Sequence, residues 1–347
     1  VACVYWFVLI AITNQPPYLP RSNLMAYNNY LVSNELGHQN VILGFQQYIN
    51  YNGVYIGVGP DQNYTYIAIT RPSFAFIIDN RKENQLLHYL FKACFEVASS
   101  CQEYLSILFS KPLKINDSLL SLHDMVHYFS QIEGKMNYFN KNWDLLYKKI
   151  RKYRTNLSDN DLDQIYSMYR DFFKYHLLLR TRNNLTSWQG WPYPTYRDFL
   201  LTTDQAGRSW NFLNDDLRFQ WLKTMQRNNR IIPIVGDLTG GKTLRTIAEF
   251  ATKKGIPITT IYISNTEQLI FQEQLFDQYM SNIKNLPKNS SSLLIRTVVN
   301  KKGQVHPEFK DGQILTTVIQ KIESFIQLYE EGRYNTYWDI ATLDFIH

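Results

Sequence analysis

The chain has 347 residues, 45% hydrophobic and 19% charged, a balance that supplies a large core and excludes global disorder. A formal charge of +6 is too modest for a dedicated nucleic-acid binder, and the one dense basic run, Lys148 to Arg154, reads as a solvated helix face. Three cysteines, Cys3, Cys94 and Cys101, exclude a disulfide framework and a cysteine-rich zinc site.

In chain order, the uncharged apolar run Ala2 to Ile12 reads as the remainder of a signal peptide or membrane anchor, broken by Asn14-Gln15-Pro16-Pro17. On that reading the protein is exported to the periplasm, surface or medium; with the run buried as a strand or helix instead, it is cytoplasmic. No later run reaches transmembrane length, so no membrane contact by the folded domain is expected. A helix is predicted over Asn34 to Ile49, then a strand over Gly53 to Ile56, a helix over Asp61 to Ala68, a strand over Phe74 to Asp79 and a helix over Arg81 to Ser99. If Cys94 and Cys101 shared one continuous helix they would lie about 10 Å apart, too far to bridge. From Lys111 to Arg230 the pattern is helical and strand-poor, with helices over Met125 to Tyr153 and Asp159 to Arg182 and an aromatic loop Trp188 to Pro194. His123 and His127 stand four apart without the glutamate of a zinc-protease helix, so no metal is expected.

Strand and helix then alternate: strand Ile231 to Val235, helix Lys242 to Thr252, strand Ile258 to Ser264, helix Glu267 to Ile283, strand Leu293 to Val299 and helix Gln313 to Tyr329. This order predicts an α/β, doubly wound, mainly parallel Rossmann-like sheet with a large helical insertion. The divisions are 1–20 for the leader and linker, 21–110 and 231–347 for the two parts of the sheet domain, and 111–230 for the insertion.

Two motifs carry chemistry. The first is the strand and turn Val54-Tyr55-Ile56-Gly57-Val58-Gly59-Pro60-Asp61, with Asp79 ending the next strand twenty residues beyond Gly59. Glycines admit a ligand close to the backbone, the helix N-terminus offers free N–H groups, and the acid suits ribose hydroxyls. The second, Gly236-Asp237-Leu238-Thr239-Gly240-Gly241-Lys242-Thr243, fits the GxxxxGK[ST] phosphate loop, which predicts an ATP- or GTP-binding protein as an alternative. The strand after it ends in Ser264-Asn265 rather than a magnesium-binding acid, and Asp339 is the weak candidate for that acid.

The run Gly53 to Tyr64, then Phe76-Ile77-Ile78-Asp79-Asn80-Arg81, Ile234-Val235-Gly236-Asp237 and Tyr262 to Gln268 resembles a bacterial family of uncharacterised proteins, represented in Leptospira, with a methyltransferase-like fold. The resemblance covers roughly Asn34 to the C-terminus. It implies a class I S-adenosylmethionine-dependent methyltransferase-like sheet, with S-adenosylmethionine as cofactor and the acceptor left open. On that fold Gly57 and Gly59 match the glycine turn, Asp79 the ribose acid, and Asp237 and Asn265 the ends of the third and fourth strands. The family pattern has an acid where this chain has Tyr55 and a third glycine where it has Asp61.

The expected cofactor residues are therefore Gly57, Gly59, Asp61, Gln62, Asn63, Asp79 and Asn265, and the candidate base is Asp237, ahead of Glu267 and Asp204. The rim at the carboxyl ends of the strands should gather them. Each has a plainer explanation: Asp61 as a helix-dipole acid, Asp79 as a cap, Ser264 to Glu267 as a capping box. The insertion is expected to cover the pocket with Tyr193, Tyr196 and Trp210. A fold retained without the reaction, in an exported or surface protein, is the third functional reading.

Overall fold

The computed structural model describes residues 30–49, 51–113, 121–181, 187–188, 191–301 and 303–346, and the apolar run at the N-terminus lies outside them. After the short helix α1 (Ile42–Gln46) come strand β1 (Val54–Val58), α2 (Gln62–Thr70), β2 (Phe74–Asp79) and α3 (Lys82–Val97). Helices α4 (Cys101–Phe109), α5 (Leu122–Gln131), α6 (Met136–Tyr153), α7 (Asp159–Tyr175), α8 (Tyr196–Leu200) and α9 (Asp216–Arg227) follow. The sheet resumes with β3 (Ile231–Val235), α10 (Thr243–Lys254), β4 (Ile258–Ser264), α11 (Thr266–Gln272), α12 (Phe276–Lys284), β5 (Leu293–Val299) and β6 (Leu315–Lys321), and α13 (Ile322–Glu330) and α14 (Tyr337–Thr342) complete the chain.

The six strands lie in the order β3-β2-β1-β4-β5-β6, parallel except for β6, which runs antiparallel to β5. The adjacent strands β1 and β4, from which the chain proceeds to opposite edges of the sheet, make the switch point at which such sheets bind ligands. Of the two central strands β1 is buried throughout and β4 in all but its last residue, Ser264, as parallel strands covered on both faces must be. Phe74 and Phe76 meet Phe250 of α10 edge-on, at 5.0 and 5.4 Å between ring centres, while α3 packs on α6, α7 and α9. The edge strand β3 carries Pro233, which removes one backbone donor where no outer strand needs it.

The expected alternation holds up to β5, and the helix expected over Gln313 to Tyr329 is corrected: Leu315–Lys321 is a strand. Its apolar residues recur at helical spacing, but the β-branched run Thr316-Thr317-Val318-Ile319 packs along β5. The helix expected over Asn34 to Ile49 shrinks to α1. Before it, Glu35, His38 and Gln39 are buried polar residues, and a Cβ on Gly37 would stand 3.0 Å from the Leu315 carbonyl oxygen, so the chain turns through this region rather than coils regularly. Two further expected helices are divided: Met125 to Tyr153 at the bend holding Gly134, and Glu267 to Ile283 between α11 and α12. Cys94 and Cys101 belong to separate helices and are free thiols. Among the described residues the only strands of the 111–230 section are the two-residue pair Ser187–Trp188 and Trp191–Pro192. No helix among them is long and apolar enough to cross a membrane.

Candidate functional site at the carboxyl rim of the sheet

The glycine turn after β1 is held from inside. The Asn63 amide nitrogen donates to the carbonyls of Val58, Gly59 and Pro60 at 2.9, 3.3 and 2.7 Å, and its Oδ1 accepts from the Tyr55 hydroxyl at 2.9 Å. Gly57 is needed for this packing, because a Cβ there would fall 1.9 Å from Asn63 Oδ1. Gly59 adopts a left-handed φ of 77°, which a side chain would strain. Its carbonyl accepts from His88 Nε2 at 2.9 Å; since a carbonyl cannot donate, Nδ1 is the bare nitrogen and accepts from the Tyr64 hydroxyl at 2.7 Å. Burial pushes the His88 imidazole down to about 4.

Asp61 is fully buried, with Oδ2 accepting from the Tyr196 hydroxyl at 2.7 Å and Oδ1 without a partner among the described residues. Burial pushes its carboxyl up to about 7. Asp79 ends β2 as expected. Its Oδ1 accepts from the backbone N–H and Nε of Arg81, both at 2.9 Å, and Oδ2 from Nη2 at 2.7 Å. The Tyr30 ring lies over that guanidinium, 5.5 Å from centroid to Cζ, and its edge comes to 3.6 Å from where a Cβ on Gly59 would sit.

The residue that sequence reasoning missed is Glu35. Its carboxylate is buried at the switch point, where Oε2 accepts from Gln62 Nε2 at 3.0 Å and Thr297 Oγ1 at 2.6 Å, and Oε1 accepts from Ser264 Oγ. Among the described residues no Lys, Arg or His forms an ion pair with it. Burial raises its carboxyl above the ordinary range. Gln62 Oε1 and His38 Nε2, both buried, are also without partners among the described residues. His38 stacks on Phe199 at 4.7 Å, and its Nδ1 donates to the Glu35 carbonyl at 2.8 Å.

The other expected residues divide. Gln62, Asn63, Asp79 and the glycines share the rim with Glu35, and Asn265 adjoins it through a 3.3 Å contact of its Oδ1 with Ser264 Oγ. The capping box expected at Ser264 to Glu267 is not formed: Ser264 closes β4 with a left-handed φ of 55° and turns its hydroxyl to Glu35, and Glu267 pairs with Arg296 at 2.6 Å inside the core. Asp237 uses Oδ1 to accept from the Thr239 backbone and hydroxyl, both at 2.8 Å, which organises its own loop. Asp204 receives Ala206 N, Arg208 N, Arg208 Nε and Trp210 Nε1, so it is a loop organiser rather than a free base. Asp339 caps α14 through Thr336.

The loop 236–243 follows the edge strand β3, away from the switch point. The Asn282 amide donates to the carbonyls of Leu238 and Gly240 at 2.9 and 3.0 Å, and none of its glycines is left-handed. Lys242 is exposed. From the helical section Thr181 donates to the Val32 carbonyl and Trp210 N to Gln39 Oε1, so the insertion does reach the rim, through the segment that carries Glu35. Tyr193 is buried nearby, its carbonyl accepting from Arg180 Nε at 3.2 Å. Among the described residues no cluster of His, Cys, Asp or Glu is arranged to hold a metal.

No curated protein matches this chain. A family model described as a domain of unknown function, DUF7790, matches residues 30–115 and 113–343, which begin at Tyr30 and take in the whole rim. The chain belongs to the DUF7790 family.

Proposed function

We propose that the protein binds an adenosyl cofactor of the S-adenosylmethionine class at the rim between β1 and β4 and acts as a methyltransferase-like enzyme. The observation that carries this reading is the placement of Asp79 at the end of β2 beside the left-handed Gly59 turn, with polar donors from Gln62, Ser264 and Thr297 across the switch point. The residues fit the group in part: Asp79 Oδ2 takes one hydrogen bond and keeps an acceptor position for a ribose hydroxyl, whereas the freedom at Gly57 is consumed by Asn63.

When bound, the cofactor would supply an electrophilic methyl group. The chain would contribute alignment and proton removal. Asp79 would hold the ribose hydroxyls, with Arg81 fixing its orientation. Asp61 suits proton acceptance at neutral pH, since burial pushes its carboxyl up to about 7 and among the described residues its Oδ1 has no partner.

A second reading, a fold kept without the reaction, is favoured by the filling of the rim by Tyr30 and Glu35. Calorimetric titration with S-adenosylmethionine, S-adenosylhomocysteine and magnesium-ATP separates the readings. The proposal expects adenosyl binding that is lost in Asp79→Ala and kept in Lys242→Ala. ATP binding lost in Lys242→Ala would instead support the phosphate loop, and silence from all three ligands would support the non-catalytic reading.

A further inference from the structure

Residues 30–40 run along the rim as a strap. Tyr30 stands over Arg81 beside the end of β2, Glu35 bonds to Ser264 and Thr297 of β4 and β5, and Asn40 donates to Gln313 just before β6. On the way the chain bends at Val32, the Tyr30 hydroxyl turns back to Asn34 Oδ1 at 3.4 Å, and Leu36 to Asn40 run in turns. The strap crosses the switch point along the line a ligand would take, with a planar ring at one end and a carboxylate at the other.

Both ends engage groups suited to a ligand. The Tyr30 ring covers a guanidinium and the open side of the Gly59 turn. The Glu35 carboxylate draws together three neutral donors from three different elements and, among the described residues, forms no ion pair, an arrangement that any other carboxylate could adopt in its place.

We infer that Tyr30 and Glu35 are an internal stand-in for the ligand: the site takes a molecule with a planar ring at one end and a carboxylate at the other, and that molecule displaces the strap to enter. This rests on the adenosyl reading and narrows it, because S-adenosylhomocysteine has both ends and 5′-methylthioadenosine lacks the carboxylate. A state in which the strap fills the site lowers apparent affinity by the fraction of molecules left open, so weakening the strap must tighten binding.

The test is calorimetry of both compounds on the wild-type chain, Glu35→Ala and Tyr30→Ala, together with amide exchange of residues 31–36. Glu35→Ala should tighten S-adenosylhomocysteine by about tenfold or more and 5′-methylthioadenosine by a smaller factor, because only the former gains the freed carboxylate position. Tyr30→Ala should tighten both, and saturating S-adenosylhomocysteine should speed exchange of the 31–36 amides in the wild type. Should Glu35→Ala fail to fold, Glu35→Gln keeps an acceptor and should show a smaller gain in the same direction. Unchanged or weakened S-adenosylhomocysteine binding in the Glu35 variants, with exchange of 31–36 unmoved, overturns this inference alone. If neither compound binds any of the chains, the adenosyl reading falls and this inference with it.

Discussion

The Tyr196 hydroxyl donates to Asp61 Oδ2 across 2.7 Å, and that bond joins α8 of the helical section to the residue that opens α2. It brings together an interior carboxyl and a phenol, and among the described residues Asp61 forms no ion pair. The helical section is thereby fastened to the glycine turn at a position whose charge changes near neutral pH.

Asp61 should make the protein less stable as the pH rises toward neutrality. Its carboxyl titrates at about 7 in the folded chain against the ordinary 3.8, so between about pH 4 and pH 7 the folded state retains a proton that the unfolded state has released. Stability from this group is full below about pH 4 and is lost as the pH passes 7. Urea unfolding of wild type and Asp61→Asn at pH 4, 5.5 and 7.5 should show the variant gaining on the wild type by on the order of 3 kcal/mol across the series. Parallel pH profiles would refute the assignment.

His88 should act with the opposite sign. Its folded value of about 4 lies below the ordinary 6.5, so its contribution is present above about pH 6.5 and is lost as the pH falls toward 4. Nitrogen-15 spectra at pH 5.5 should find the ring neutral, with the proton on Nε2. A ring already charged at that pH would contradict the Tyr64–His88–Gly59 bonding.

Gly57→Ala should destabilise the fold by about 1–3 kcal/mol, because the new methyl group meets Asn63 Oδ1 inside the turn. If Asn63 is the cause, Asn63→Ala should make the glycine substitution cheaper, and a double-mutant cycle should show coupling above about 0.5 kcal/mol. Additive effects would return Gly57 to a role in ligand approach.

Glu267 and Arg296 form a fully buried pair, with Gln320 Oε1 and the Ile340 carbonyl also accepting from the guanidinium. Arg296→Met should cost about 3–5 kcal/mol by leaving Glu267 uncompensated, and adding Glu267→Gln should recover part of that loss. Guanidinium unfolding reads both; a double variant no more stable than Arg296→Met would show that packing, not charge, dominates.

The sheet was legible where one physical signal acted alone. β2, β3, β4 and β5 have the bounds that their apolar runs and flanking turns predict. β6 was hidden because Leu315, Val318 and Ile319 also fit a helical face, and only pairing with β5 decides between the two periods. In the site, the glycine turn and Asp79 were readable from spacing. Glu35 was not, since a lone acid in a turn-rich segment has no periodicity and acquires meaning only from Gln62, Ser264 and Thr297, as far as 262 residues away. The phosphate-loop pattern was readable too, yet its place beside an edge strand depends on the order of strands in space.

Asn40 bonds to Gln313 over 273 residues of intervening chain, and Glu35 to Thr297 over 262. At about 5–20 residues per second, roughly 15–60 s of synthesis separate the two ends of these bonds. During that interval the nascent segment 30–40, with its buried Leu31 and Val32, lacks its partners Thr297 and Gln313. The Glu35–Thr297 and Asn40–Gln313 contacts of the rim therefore form only after most of the chain has been made.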